Sequence, residues 1–222
     1  MKKHIGILFL IFNSYLFTVD AQTKAPVKLK KTIRAEFQLP RATSNAAFKK
    51  TFSGVFNTGL SMNFGGKHFN AGCFYSFTQY QVFPKFFEDP HVVLSNHTAG
   101  IKISYDILTS SGRGLFSPFI APGYSFLKYS RIKCKTETPY NTHPSAPSLN
   151  LGMSYNIMMD EWVGAGFIIG YNMIDHVFRP ESVCLDEWGI DYVQGDNKGS
   201  FQNIFFGFCV YFDLAYKPET AE

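Results

Sequence analysis

Between Leu29 and Tyr216 the chain divides into about eight stretches of alternating apolar and polar side chains, joined by connections that are long and short in turn. Residues two apart on an extended strand share a face, so each stretch has one apolar and one polar face. Strands of this kind, joined in sequence, satisfy all their ladder hydrogen bonds only by closing on themselves, which leaves one whole face of the closed sheet apolar.

Splitting each stretch into its two phases tests the idea. From Leu29 to Leu39, the phase Leu29, Lys31, Ile33, Ala35, Phe37, Leu39 faces the phase Lys30, Thr32, Arg34, Glu36, Gln38. From Lys50 to Phe64, Phe52, Phe56, Leu60, Met62 and Phe64 oppose Thr51, Ser53, Asn57, Ser61 and Asn63. Phe69, Ala71, Cys73, Tyr75 and Phe77 form the third apolar phase, and Val93, Ala99, Ile101, Ile103, Tyr105 and Ile107 the fourth, with Ser95 and His97 interrupting it. The sixth and seventh carry Leu149 to Ile157 and Val163 to Met173, the latter against Gly164, Gly166 and Gly170, small residues that leave room for bulky neighbours. The last offers Ile204, Phe206, Phe208, Val210, Phe212 and Leu214 against Asn203, Gly207, Cys209, Tyr211 and Asp213. The fifth, Leu115 to Ile132, has mixed phases and contains Pro118 and Pro122; proline removes a ladder donor, which predicts a bulge or bend there.

The N-terminus supplies a compartment. Lys2, Lys3 and His4 precede an apolar run from Ile5 to Val19 that ends at Val19-Asp20-Ala21, the pattern of a secretory signal cleaved after Ala21. Asn13, Ser14 and Tyr15 interrupt the run, which is shorter than the roughly 20 apolar residues of a spanning helix. Residues 22–28 then form a short leader to the barrel at 29–216, and 217–222 a tail. Removing 1–21 lowers Lys plus Arg from 21 to 19 and Asp plus Glu from 17 to 16, so the remaining chain carries a mild charge of about +3. Its basic residues sit mostly at strand ends and turns, which argues against nucleic acid as a partner. The 24 Phe, 12 Tyr and 18 Gly suit pleated surfaces and interfacial aromatic girdles, and no later apolar run could span a bilayer as a helix. A chain of this kind enters a membrane only as a closed barrel, because open strand edges cannot sit in hydrocarbon.

The connections set the topology. Gly65–Lys67, Thr109–Gly114 and Asp160–Glu161 are short and turn-like, whereas Pro40–Ala47, Phe86–His91, Lys135–Ala146 and Arg179–Ser200 are longer and polar. Strict alternation of this kind distributes periplasmic turns and extracellular loops. The expected fold is an all-β, eight-stranded antiparallel up-and-down transmembrane β-barrel in the bacterial outer membrane. Repeated pieces such as Asn57-Thr58-Gly59-Leu60-Ser61-Met62-Asn63-Phe64 and Asn150-Leu151-Gly152-Met153-Ser154-Tyr155-Asn156 resemble the small outer-membrane barrels of the OmpA and OmpX type, and especially the PorT-like barrels of Bacteroidetes. The resemblance covers residues 29–216 and carries no active-site signature; it implies a scaffold used for adhesion, envelope anchoring or assembly, inserted by the barrel-assembly machinery through its aromatic last strand.

With the polar phase inside, Arg34, Glu36, Lys102 and Asp106 fall in a narrow lumen, where buried charges must pair into a plugging network. Such a network is a gate in one reading and a filled structural interior in the other, and the small barrel favours the filled interior. Lys30 and Asp213 are expected as neighbours where the last strand closes on the first. Cys73 and Cys209 fall on opposite phases of non-adjacent strands and read as free thiols, whereas Cys134 and Cys184 lie at or in the third and fourth outer loops, where a bridge would pin them together. The fourth loop carries Glu181, Asp186, Glu187, Asp191 and Asp196 beside Trp188 and Tyr192, without calcium-loop spacing. No metal-ligand cluster or phosphate cradle suggests a cofactor.

Two other readings compete. Ser95 and His97 share the outward face and would be the nucleophile and base of a lipid-modifying barrel enzyme, although no third group completes them. A soluble calycin-like barrel would reverse the faces and turn the apolar phase inward toward a ligand. The preferred reading is a non-catalytic envelope structural or surface-interaction barrel, in contact with outer-membrane lipid and lipopolysaccharide and with other envelope proteins.

Overall fold

The structure, a computed structural model, describes residues 30–66, 68–82, 92–110, 113–160, 162–188, 192–193 and 195–214. The signal segment at 1–21, the leader at 22–28 and the tail at 217–222 lie outside the described residues. So do all of Phe86–His91 and Asp191.

The strands run β1 (Lys30–Ala42), β2 (Phe52–Gly65), β3 (Phe69–Val82), β4 (Val93–Tyr105), β5 (Gly114–Ser130), β6 (Ser145–Met158), β7 (Val163–Ile174) and β8 (Phe201–Asp213). A two-residue piece, Ile107–Leu108, continues β4 past Asp106 and pairs with the same neighbour, β5. Every strand pairs antiparallel with its sequence neighbour, and β1 pairs with β8 from Thr32↔Asp213 to Ala42↔Asn203, which closes the sheet into an eight-walled up-and-down barrel. No described helix is long and apolar enough to cross a membrane.

The phases fall as the alternation requires on most walls. Phe37, Leu60, Ile101 and Phe208 point outward and are 51–59% exposed, while Arg34, Lys102 and Asp106 are 2–3% exposed inside. A soluble calycin-like barrel has the reverse arrangement.

Two expectations are corrected. The fifth strand shows no bulge at Pro118 or Pro122: its register with β6 is unbroken from Gly114↔Ile157 to Phe126↔Ser145, and its register with β4 is the same on both sides of a gap at Ile101 and Lys102. Both prolines lie on the outward phase, so the strand accommodates the missing donors without changing register. The irregularity sits instead in β2, where the register slips between Gly54 and Phe56. That slip reverses the phase at the start of the strand, so Phe52, expected to face lipid, is 2% exposed and packs inside.

The connection after β1, expected as a polar loop, contains a short helix α1 (Ala46–Thr51). Asn45 caps it by accepting from Phe48 N at 2.9 Å, and Lys49 and Lys50 sit in its last turn, where cations suit the carbonyl end. The helix presents Ala47, Phe48 and Thr51 to the barrel mouth. Phe48 stacks on Phe52 at 4.9 Å and meets Tyr80, Phe178 and Phe201 edge-on at 4.1–5.6 Å. Leu94, Leu127, Tyr129, Ile174, Val183 and Leu185 complete a hydrophobic core at the loop end of the barrel.

Phe48 is fully buried at the centre of this core. Truncating a large buried aromatic costs about 3–5 kcal/mol, so Phe48→Ala should lower the urea midpoint of the barrel in detergent micelles strongly, while Phe206→Ala on the outer wall should not.

Candidate functional site

Three regions carry chemistry: the lumen, the outer wall and the loop end. Half-way along the lumen, Lys102 Nζ donates to Glu36 Oε1 at 2.5 Å and lies 4.2 Å from the centre of the Phe119 ring. Gln38 Nε2 donates to Glu36 Oε2 at 2.9 Å, so both carboxylate oxygens are satisfied. Toward the short-turn end, Ser117 Oγ donates to Asp106 Oδ1 at 2.6 Å, and the Arg34 guanidinium lies 5.7 Å from the Tyr211 ring centre. Of the four charges expected in the lumen, the structure thus puts Lys102 and Glu36 in direct contact, gives Asp106 a hydroxyl partner, and sets Arg34 against an aromatic face.

Rings fill the middle of the lumen because opposing positions are glycine. A Cβ on Gly170 would meet Phe205 Cζ at 2.2 Å, and one on Gly152 would meet Phe119 Cζ at 2.6 Å. The alternation showed that these positions were small, but not which rings occupy the space. Beside the aromatic layer lies a cavity of about 30 Å³ reached by Glu36, Lys102, Asn57 and Ser76. That is room for one or two waters.

On the wall, His97 Nδ1 lies 2.6 Å from Tyr75 OH, and its ring packs on Phe77 at 4.9 Å. Ser95 sits in register with Gln79 on one side and Lys128 on the other. The Ser95 and His97 pair therefore remains on one face, but the tyrosine engages one imidazole nitrogen. Cys73 is a free thiol exposed on the same outer face, whereas Cys209 is buried in the lumen with its Sγ 3.1 Å from Asn156 Oδ1. Thr32 is the register partner of Asp213 at barrel closure; the side chain of Lys30, expected beside Asp213, lies outside the described residues. Among the described residues no group of three His, Cys, Asp or Glu side chains could hold a metal.

At the loop end, Cys134 and Cys184 form a disulfide with a Cα–Cα distance of 5.3 Å. The Glu187 carboxylate reinforces it from the fourth long loop: it accepts from Thr136 Oγ1 at 2.6 Å, from the backbone N–H of Glu137 at 2.9 Å, and from those of Lys135 and Thr136. Trp188 Nε1 donates to Lys133 O at 3.1 Å, and Lys135 Nζ covers the Trp188 ring at 4.4 Å. Other members of the acidic loop are also engaged: Glu181 accepts from Asn197, and Asp196 from Lys50 at 2.6 Å. Asn45 Nδ2 bonds Phe178 O and Gly199 O, and Thr51 Oγ1 lies 2.8 Å from Tyr192 OH, so α1 is tied to the same loop. Sequence reasoning missed the parts of this clasp made by α1 and by the Glu187 carboxylate. The signal for the helix was Asn45 followed by a short helix-forming run with Phe48 on one face.

A closed eight-stranded antiparallel barrel with an apolar outer belt and a polar, plugged lumen is a small transmembrane barrel of the outer-membrane kind. The chain is similar to Neisserial surface protein A, with 12% identity over 83% of this chain and 97% of that one at a TM-score of 0.50. It is also similar to a major outer membrane protein of Thermus thermophilus, with 8% identity over 82% of this chain and 99% of that one at a TM-score of 0.48. No protein-family model and no curated protein sequence matches the chain. The barrel and its belt place the protein in the bacterial outer membrane.

Two outcomes are expected from these contacts. Lys102→Met leaves Glu36 facing the interior without its cation, which should cost about 3–5 kcal/mol, and the double variant Glu36→Leu/Lys102→Met should recover most of it. Equal urea midpoints for all three proteins would mean that the pair is solvated. At the loop end, the Thr136 hydroxyl and then the backbone N–H of Lys135 hold the Glu187 carboxyl down at about 2. A folded value below the unfolded one stabilises the clasp fully above the ordinary glutamate range, roughly 4.3, and that support is lost as pH falls through about 2. The protection factors of the Lys135, Thr136 and Glu137 amides should accordingly be full above about pH 5 and fall progressively between about pH 4.3 and 2.

Proposed function

We propose that the protein is a non-catalytic outer-membrane barrel whose work is done by the loop platform at its extracellular end. The observation that carries this reading is the clasp: a disulfide, a carboxylate held by successive backbone N–H groups and a buried aromatic core together tie α1, the third loop and the fourth loop to one another at the barrel mouth. A conducting barrel needs an open lumen, and a lid that moves needs weak contacts. A rigid, closed mouth suits a surface presented to something else, because preorganised loops lose less entropy on binding.

The lumen pair Glu36 and Lys102, together with Arg34 and Asp106, serves as filling for the wall on this reading, and the outer belt contacts lipid and lipopolysaccharide. The outward aromatics of β8, Phe206, Phe208 and Phe212, favour insertion by the barrel-assembly machinery. A lipid-modifying role is disfavoured by the Tyr75 contact to His97, which takes up a nitrogen that a base or its orienting partner would use.

The purified protein in planar bilayers should be electrically silent. Cells carrying Cys134→Ala/Cys184→Ala should keep a barrel that shifts on heating in gels, yet lose protease resistance at the loops together with any loop-dependent surface binding. Steady single-channel conductance, or a lipid A profile that changes with His97→Ala, would overturn the reading.

A further inference from the structure

On the outer face of β3, β4 and β5 the apolar belt ends at a polar row. Counted toward the loop end, the outward positions in register are Tyr75, Ala99 and Tyr124, then Phe77, His97 and Phe126, then Gln79, Ser95 and Lys128. The third long loop adds one more member. Leu127 N donates to Pro144 O at 2.8 Å and Tyr129 N to Thr142 O at 2.9 Å, which continues the register of β5 with β6 and sets His143 opposite Lys128. Lys128 and His143 are exposed, while Gln79, Ser95 and His97 are half-buried. Side chains in register on one face of a sheet stand about 5 Å apart at Cβ, so Gln79, Ser95, Lys128 and His143 form one strip, with His97 one step below it.

The two imidazoles are oriented alike. Tyr75 OH lies 2.6 Å from His97 Nδ1, and Thr142 Oγ1 lies 2.9 Å from His143 Nδ1. When each Nδ1 accepts its hydroxyl proton, each Nε2 carries a hydrogen to donate. Among the described residues, neither Nε2 atom, the Lys128 ammonium nor the Ser95 hydroxyl has a hydrogen-bond or ion-pair partner. No Asp or Glu stands in the strip, in the row of Phe77, His97, Phe126 and Ser145 below it, or in the row of Gln81, Val93 and Ser130 above it. The strip is therefore a set of donors around one cation with no anion of the chain in register beside it.

Its depth identifies what faces it. Tyrosines on the outer wall mark the level of the lipid headgroups, and Tyr75 and Tyr124, 48% and 43% exposed, stand just below the strip. Between them the small side chain of Ala99 is exposed, which leaves a dip that leads from the strip down into the belt. A soluble anion would use the strip alone, whereas a lipid with a phosphate head fits strip and dip together.

We propose that this face binds one membrane lipid through its phosphate. Lys128 supplies the charge, Ser95, Gln79 and the Nε2 atoms of His97 and His143 supply hydrogen bonds, and an acyl chain lies over Ala99 between the two tyrosines. This is a fixed site on one side of the barrel, distinct from the general contact that the whole belt makes with lipid. It is independent of the loop platform, because its groups belong to the wall and to the foot of the third loop.

The test uses the full chain folded in dodecyl maltoside micelles, with bound species counted by native mass spectrometry. The ligands are dimyristoyl phosphatidic acid, dimyristoylglycerol, which has the same chains and no phosphate, and inorganic phosphate. One phosphatidic acid should be held at least about tenfold more tightly than the diacylglycerol, and inorganic phosphate at equal concentration should not displace it. The double variant Lys128→Gln/His143→Gln should weaken that binding about tenfold or more, the size of a lost charge-assisted hydrogen bond. Ala99→Trp, which fills the dip and leaves every charge in place, should weaken it as well. Arg41→Gln removes an exposed cation from the loop end of β1, on the opposite side of the closed barrel, and should leave it unchanged. Where a variant does not fold, as judged by its band shift on heating, the three ligands on the unaltered protein decide. Equal binding of phosphatidic acid and diacylglycerol, displacement by inorganic phosphate, unchanged binding in folded Ala99→Trp, or a loss in Arg41→Gln as large as in the double variant would each overturn the proposal.

Discussion

Everything in this molecule depends on the pairing of β1 with β8. In hydrocarbon an unpaired N–H or C=O has no water to turn to, so a sheet can enter the bilayer only when its last edge meets its first. Eleven register pairs from Thr32↔Asp213 to Ala42↔Asn203 make that closure. Once it is made, the geometry follows: the period of two sends each side chain either to lipid or to a lumen too narrow to stay empty, and the side chains must fill it. The glycines of β6 and β7 then become spaces for the rings of Phe119 and Phe205, and the charges on β1 and β4 meet across the interior as Lys102 and Glu36.

Filling of this kind differs along the axis. Near the short turns the interior is polar, with Arg34, Asp106, Ser117 and Tyr211. The middle is an ion pair beside an aromatic layer, and the loop end is apolar. Only the last of these layers is built partly from outside the wall, by α1 and by Phe178, Val183 and Leu185 of the fourth long loop. A closed mouth made this way couples the loops to the barrel more firmly than the lengths of the connections suggest.

The wall was legible in the sequence because its signal is local and repeated. Phe206, Phe208 and Val210 share a face whatever the rest of the chain does, and strand phases add up over eight walls. The errors arose where one residue changes the count or a distant segment intervenes. A single slip between Gly54 and Phe56 reversed Phe52, and no periodicity marks such a slip in advance. Pro118 and Pro122 suggested a bulge, yet both fall on the outward phase of a strand whose register with both neighbours does not shift. The run from Ala46 to Thr51 straddled the expected polar connection, ending at Ala47, and the expected second strand, beginning at Lys50, so neither reading held a helix with Phe48 facing the core. The direct contact of Lys102 with Glu36 depends on lumen geometry that alternation does not contain.

The aromatic core at the loop end sits beyond the lipid belt, and this gives the protein two solvents. The outer wall is apolar against apolar lipid tails, so its burial brings little gain from leaving water. The mouth, by contrast, removes Phe48, Phe178 and Phe201 from water itself and obeys the thermodynamics of a small soluble domain, with a heat-capacity change on exposure and weaker cohesion in the cold. The barrel thus carries at one rim a miniature globular protein whose stability responds to temperature, while the cylinder beneath it responds to the thickness of the bilayer.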